Sequence, residues 1–281
     1  MRWGWLTASI AFVAYLRVVS VGVAEPIPAA GDRWQSIEPG LDLGNFIAPN
    51  PSTVGDSAIT IVRIEPARFK LDLFSAGAMK LPRLSIDAWT KGQQLVAAIN
   101  AGMYEPGGGT TGYSRVGDMT LNPKRKSDYE AFLAFDPDDA SLPSVTILDP
   151  ECDDVKARER HYRVILQSIR MIDCKGVNRW QKSPRIWSTA ALAIDDQGHV
   201  LLIHARSPWD VHDFIAILQK LPLGIRRALY LEGEPEASLS LDTERVSRVQ
   251  IGSWETGFNE NDDNVTPWPL PNVIGVRRRQ Q

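Results

Sequence analysis

The sequence predicts a single α+β domain built on a mixed, largely antiparallel sheet with a few packed helices. Three observations carry this. Short apolar runs of strand length recur from residue 58 to residue 276. Only one segment, opening near Ser207, has strong helical periodicity, and a weaker one covers residues 85–91. No internal repeat, low-complexity tract or linker divides this stretch.

The chain begins with Arg2 and an apolar run over residues 3–16, and the small residues Gly22, Val23 and Ala24 follow. That order reads as a signal peptide over residues 1–24. Arg17 leaves the run too short to span a bilayer comfortably. The expected location is therefore secreted or periplasmic, with no membrane span after cleavage. Residues 25–57, rich in Pro, Gly and Asp, predict an irregular lead-in to a domain over residues 58–276.

Runs at 58–64 and 69–74, separated by Glu65, Pro66, Ala67 and Arg68, predict a half-buried hairpin. Residues 85–91 suit a short helix and 94–99 a buried strand, followed by a glycine-dense loop to Gly117. Strands are expected at 131–135, 145–148 and 162–166. A hairpin follows, 189–194 and 199–205, turning through Asp195, Asp196, Gln197 and Gly198. Ser207, Pro208 and Asp210 supply the cap, first turn and reciprocal cap of the best helix. Val211, Phe214, Ile215 and Leu218 give it one apolar face. Residues 228–231 form another buried strand, and residues 277–281 read as a solvated basic tail.

Composition narrows function by exclusion. The 281 residues are 43% hydrophobic and carry 31 basic against 34 acidic groups, so no basic excess marks a nucleic-acid partner. In an oxidising compartment the lone pair Cys152 and Cys174 predicts a disulfide. Residues 107–112 fit G-x-G-x-x-G in letters, but no strand leads directly in and no helix follows, so a dinucleotide site is rejected. His199 and His204 lie five apart on a strand and face opposite sides, which argues against a histidine metal site. No cofactor or metal is expected.

Two polar loops remain, each behind a buried strand. One is Asn100-Ala101-Gly102-Met103-Tyr104 with its glycine run, whose backbone suits close approach to a ligand. The other holds Glu232, Glu234 and Glu236, which repel one another unless solvated or sharing a ligand or proton.

The first loop resembles the N-G-x-F/Y element of the phosphodiester glycosidase family. Leu166-Gln167-Ser168 resembles its Q-S-G-P step, and Pro184-Arg185 through Thr189-Ala190 its P-R-T-A-x-G step. The hairpin ending at Arg206, with the helix after it, is similar to the family's strand, D-G-R and helix. Leu231-Glu232-Gly233 through Ser238 resembles L-D-G-G-x-S, and residues 271–276 its closing strand. The chain looks closest to a divergent bacterial-type branch: Glu232 stands for Asp, Glu234-Pro235 for glycines, Ile169-Arg170 for Gly-Pro and His204-Ala205 for Asp-Gly.

The resemblance implies cleavage of a sugar–phosphate diester at the anomeric carbon, with a sugar-phosphate or glycan ligand. The leaving group is an anionic phosphate monoester, so cations that hold phosphate bidentately matter more than a strong acid. Arg185 and Arg206 are the candidates. A carboxylate must support an oxocarbenium-like centre, attack it or activate water; Glu232 is preferred, ahead of Glu234 and Glu105. Asn100 and Gln167 would bind sugar hydroxyls and Ser238 a phosphate oxygen, while Gly102, Tyr104, Ser168, Thr189 and Gly233 would complete the substrate site. A non-catalytic glycan-binding or envelope-interaction protein on the same fold is the alternative.

Overall fold

The structure is a computed structural model that describes Met1 and residues 33–280. The signal peptide expected over residues 1–24 lies outside the described part, Met1 apart.

The chain opens with β1 (Arg33–Glu38) and β2 (Leu41–Ile47), then β3 (Ala58–Ile64) and β4 (Phe69–Ser75). Two short helices follow, α1 (Ala76–Met79) and α2 (Ile86–Gly92), leading to β5 (Ala97–Asn100), β6 (Ser114–Val116) and β7 (Met119–Asn122). Next come β8 (Ala131–Pro137), β9 (Val145–Leu148), α3 (Val155–Glu159), β10 (Tyr162–Ser168) and β11 (Arg170–Ile172). β12 (Trp187–Asp195) and β13 (Val200–Trp209) precede α4 (Val211–Lys220) and β14 (Ile225–Gly233). A single 3-10 turn, Glu234–Glu236, joins β14 to β15 (Ser238–Asp242), and β16 (Ser247–Ile251) and β17 (Asn272–Arg278) close the chain.

These strands make three sheets, ordered β1-β2-β3-β13-β12-β14-β11, β7-β6-β10-β8-β9 and β16-β15-β5-β17-β4. Every described strand pairing is antiparallel. One core joins all three, with Leu43, Leu192 and Leu229 meeting Leu73, Ile274, Leu133 and Leu166. Alternation of side chains along each strand leaves a second face to cover. On the seven-stranded sheet α4 covers it through Phe214, Ile215 and Leu218, packed with Ile203 and Tyr230. Each such buried side chain contributes roughly 1.5–3 kcal/mol. Trp89 of α2 covers β5 and β17 in the same manner.

Four local expectations change. The lead-in contains a regular hairpin, because Gly40 at φ 82° turns β1 back along β2. β3 and β4 do not pair: β3 lies between β2 and β13, while β4 pairs β17. α4 starts three residues later than expected. Its cap is Asp210, whose side chain accepts from the Asp213 N–H, and Ser207 remains in β13, where its Oγ accepts from the Ser57 N–H at 2.9 Å. The basic tail is largely built in: Arg277 donates to Gln93 O and lies over the Phe74 ring, and Arg278 pairs with Glu38 at 2.9 Å.

Cys152 and Cys174 form the expected disulfide, with Cα atoms 6.3 Å apart. Among the described residues no helix is long and apolar enough to cross a membrane.

Candidate active site

β15 pairs with β5 so that Leu239 faces Ile99, which sets Ser238 beside Asn100. Asn100 Oδ1 accepts the Ser238 N–H at 3.0 Å. Beyond Asn100, Gly102 takes φ 70° and turns the loop toward the end of β14. The Tyr104 hydroxyl then donates to Glu236 Oε1 at 3.3 Å. On the other side, β12 positions the end of β14 by pairing Ala190 with Glu232 and Thr189 with Gly233. Gly233 has no room for a side chain, since a Cβ would collide with the Tyr230 hydroxyl and the Trp187 indole.

The three glutamates do not form a solvated acidic turn. All three are half-buried. Glu232 keeps a little accessible surface while its carboxyl is enclosed by protein and accepts the Gly233 N–H at 3.1 Å. Burial holds that carboxyl well above the usual carboxylate range, and the charges of Glu234, Glu236 and Glu255 add to the effect. Glu234 is pushed up to about 8, first by burial and then by Glu255 beside it. Its φ of 68° is uncommon outside glycine and costs roughly 1–2 kcal/mol. Gly252 packs so closely on the Glu234 carbonyl that only glycine fits there. Burial likewise raises Glu236, and burial plus the charges of Glu236 and Glu232 raises the Tyr104 phenol.

Glu255 was not distinguished by any sequence motif. A loop after β16 carries it to β12, where it bridges Trp187. Arg185 Nη2 donates to Glu255 Oε1 at 3.2 Å, and the guanidinium lies 5.6 Å from the Trp187 ring centre. The side chains thus converge on a carboxyl-rich centre with Tyr104 and Arg185 at its margins. Buried Asn100 Nδ2, Ser238 Oγ and Glu236 Oε2 have no hydrogen-bond partner among the described residues, nor do the indole nitrogens of Trp187 and Trp254. Such atoms can serve a polar ligand without first breaking a protein contact.

Other residues expected in the substrate site have structural tasks. Gln167 Oε1 accepts from the N–H groups of Tyr113 and Lys126, and its Nε2 donates to Lys126 O and Tyr129 O. Its hydrogen-bonding capacity is filled by loop backbone rather than left for sugar. Ser168 Oγ donates to Tyr230 O, and Thr189 Oγ1 to Trp187 O at 3.4 Å. Arg206 pairs with Asp262 at 2.7 Å and donates to the carbonyls of Ile251, Asp262 and Asn264, so it clamps that loop. Glu105 turns the glycine loop through its backbone, accepting the Gly108 N–H. His204 is fully buried with its pKa lowered to about 4 by burial, and its Nε2 lies 3.1 Å from Ala237 O; it is a neutral strut under the turn.

Among the described residues one trio, Asp210, His212 and Asp213, gathers possible metal-ligand atoms within 4.8 Å. Asp210 is engaged there by the Asp213 and Ser183 N–H groups, and Asp213 pairs with Lys182. A cavity of about 530 Å³ beside Asp195, Arg226 and Arg227 lies at the opposite ends of β12 and β14, away from the carboxyls.

Residues 93–277 match the model of the phosphodiester glycosidase family. The fold resembles the catalytic domain of zebrafish N-acetylglucosamine-1-phosphodiester alpha-N-acetylglucosaminidase, auto-inhibited by its pro-peptide: 16% identity, TM-score 0.60, covering 89% of this chain and 87% of that one. It also resembles a hypothetical protein from Synechocystis at 14% identity and TM-score 0.55, over 90% of this chain and 64% of that one. No curated protein sequence matches significantly.

Proposed function

Because the chain belongs to the phosphodiester glycosidase family, we propose that it hydrolyses a sugar–phosphate diester at the anomeric carbon. The observation that carries this reading is the convergence of Glu232, Glu234 and Glu255, each from a different local setting, beside Asn100 and Tyr104. An acidic centre would repel a phosphodiester if every carboxyl were ionised. Burial removes that difficulty, because raised carboxyls hold protons at neutral pH.

Roles follow from that difference. Glu232, held neutral, donates its proton to the bridging oxygen of the departing phosphate. A carboxylate of the neighbouring Glu234 and Glu255 takes a proton from the attacking water. The water oxygen bonds to the anomeric carbon, the bond from that carbon to the bridging oxygen breaks, and its electron pair leaves with the phosphate monoester. Asn100 and Ser238 hydrogen-bond the ligand, and Arg185 orients Glu255. The export signal over residues 1–24, together with the disulfide, supports action outside the cytoplasm, secreted or periplasmic.

Sugar release from a panel of sugar-1-phosphodiesters tests the reading. Glu232→Gln should lower kcat about a hundredfold or more with the fold intact; undiminished release by the variant refutes the assignment. The Glu234-Pro235 step, where the family motif has glycines, favours a second reading as a glycan-binding protein without turnover. Ligand binding that is unaffected by Glu232→Gln, with no sugar released by wild type, selects it.

A further inference from the structure

With Arg206 clamped to its loop and Arg185 paired with Glu255, a phosphate still needs a cation. Arg83 lies just before α2, outside the residues that match the family model. It is exposed, and among the described residues no carboxylate comes within ion-pair distance of it. Its guanidinium packs over the Tyr104 ring, 5.2 Å from the ring centre, and donates to Pro106 O. The hydroxyl of that same ring touches Glu236. Arg83 is therefore one aromatic ring away from the carboxyl centre.

Arg83 also lines a cavity of about 400 Å³ with Gly107, Gly108 and Gly109. Gly108, at φ 88°, lets the loop lie close to the guanidinium: a Cβ there would come within 3.6 Å of Arg83 Nε and 3.2 Å of Pro271 Cβ. Gly107 and Gly109 face open space, and their N–H groups make no hydrogen bond among the described residues. Leu81 and Met119 also line this cavity and stay 40% and 55% exposed, apolar surface at hand for a hydrocarbon group.

We propose that this cavity is the leaving-group subsite, in which Arg83 and the glycine loop hold the phosphate and Leu81 and Met119 hold an alkyl chain on its far ester oxygen. The subsite rests on the hydrolase reading above. A guanidinium offers phosphate two parallel N–H donors, and the side-chain-free loop admits its oxygens to backbone N–H groups. The substrate class is thereby narrowed to diesters whose alcohol side is hydrocarbon-rich, in preference to small hydrophilic alcohols.

The test uses a product fragment, so it does not depend on catalysis or on the sugar. Titration calorimetry of the full chain with n-butyl phosphate and with inorganic phosphate should show the butyl ester binding at least about fivefold more tightly. Arg83→Ala should weaken both at least about tenfold, and Arg83→Lys should restore part of the loss. Leu81→Ser with Met119→Ser should abolish the butyl preference and leave inorganic phosphate unchanged. Thermal melts of each variant matching wild type establish that the fold persists. Equal binding to wild type and Arg83→Ala, or no butyl preference, overturns the subsite. If Arg83-dependent binding holds while no diester is cleaved, the alkyl-phosphate site stands, and its leaving-group role falls with the hydrolase reading. If diesters are cleaved with no role for Arg83, the reverse follows.

Discussion

Replacing Gln167 with Leu separates a wall-building role from a ligand-binding one. The side chain is 4% exposed and makes four hydrogen bonds, all to backbone of the segment between Tyr113 and Tyr129. Leucine keeps most of the volume and provides none of those bonds. A net loss of about 0.5–1.5 kcal/mol per bond gives roughly 2–6 kcal/mol in total. The value should fall in the lower half, about 3 kcal/mol, because water can reach the partly buried Lys126 groups once the amide is gone. Urea unfolding followed by tryptophan fluorescence measures this as a lower midpoint at an unchanged slope. Full stability combined with a raised KM would refute the structural role and return Gln167 to the substrate.

Two further outcomes follow from the same physics. The Glu234 carboxyl, at about 8 in the fold against 4.5 as an ordinary value, binds its proton more tightly when folded. Its stabilising contribution is therefore complete below the unfolded pKa and is lost as pH rises through the folded one. Glu234→Gln should flatten that decline, so the stability of wild type relative to the variant falls between about pH 5 and about pH 9; a difference constant with pH refutes it. Opening the Cys152–Cys174 bridge, by reduction or by Cys152→Ala with Cys174→Ala, should cost about 3 kcal/mol for a closed loop of this size. An unfolding midpoint unaffected by either treatment contradicts that.

Local order was readable from the residues, and distant pairing was not. The β12–β13 hairpin follows from alternation around Gly198, which sits at φ 82°, and α4 follows from its apolar spacing. The 58–64 and 69–74 runs looked like partners because they are neighbours in sequence. Their actual partners, β2 and β13 for one and β17 for the other, are set by burial of three sheets against one core. Arg206 illustrates the limit for the site. Its motif position marks it as a phosphate ligand, yet its engagement by Asp262 and three carbonyls depends on a segment 45 to 58 residues later. Glu255 has no local signal at all, since only the fold brings it to Glu234. The Glu232–Glu236 run was legible because mutual repulsion of close acids demands an explanation.

The 3-10 turn at Glu234–Glu236 is where the chain leaves the seven-stranded sheet for the five-stranded sheet that holds β5 and β15. Carboxyls on this crossing have spacings that depend on how the two layers slide over each other. A molecule gripped by Glu232 on one layer and by Asn100 and Ser238 on the other acts as a dowel between them. Its arrival should slow amide exchange in β5 and β14 together, so that occupancy is felt as rigidity well beyond the atoms it touches.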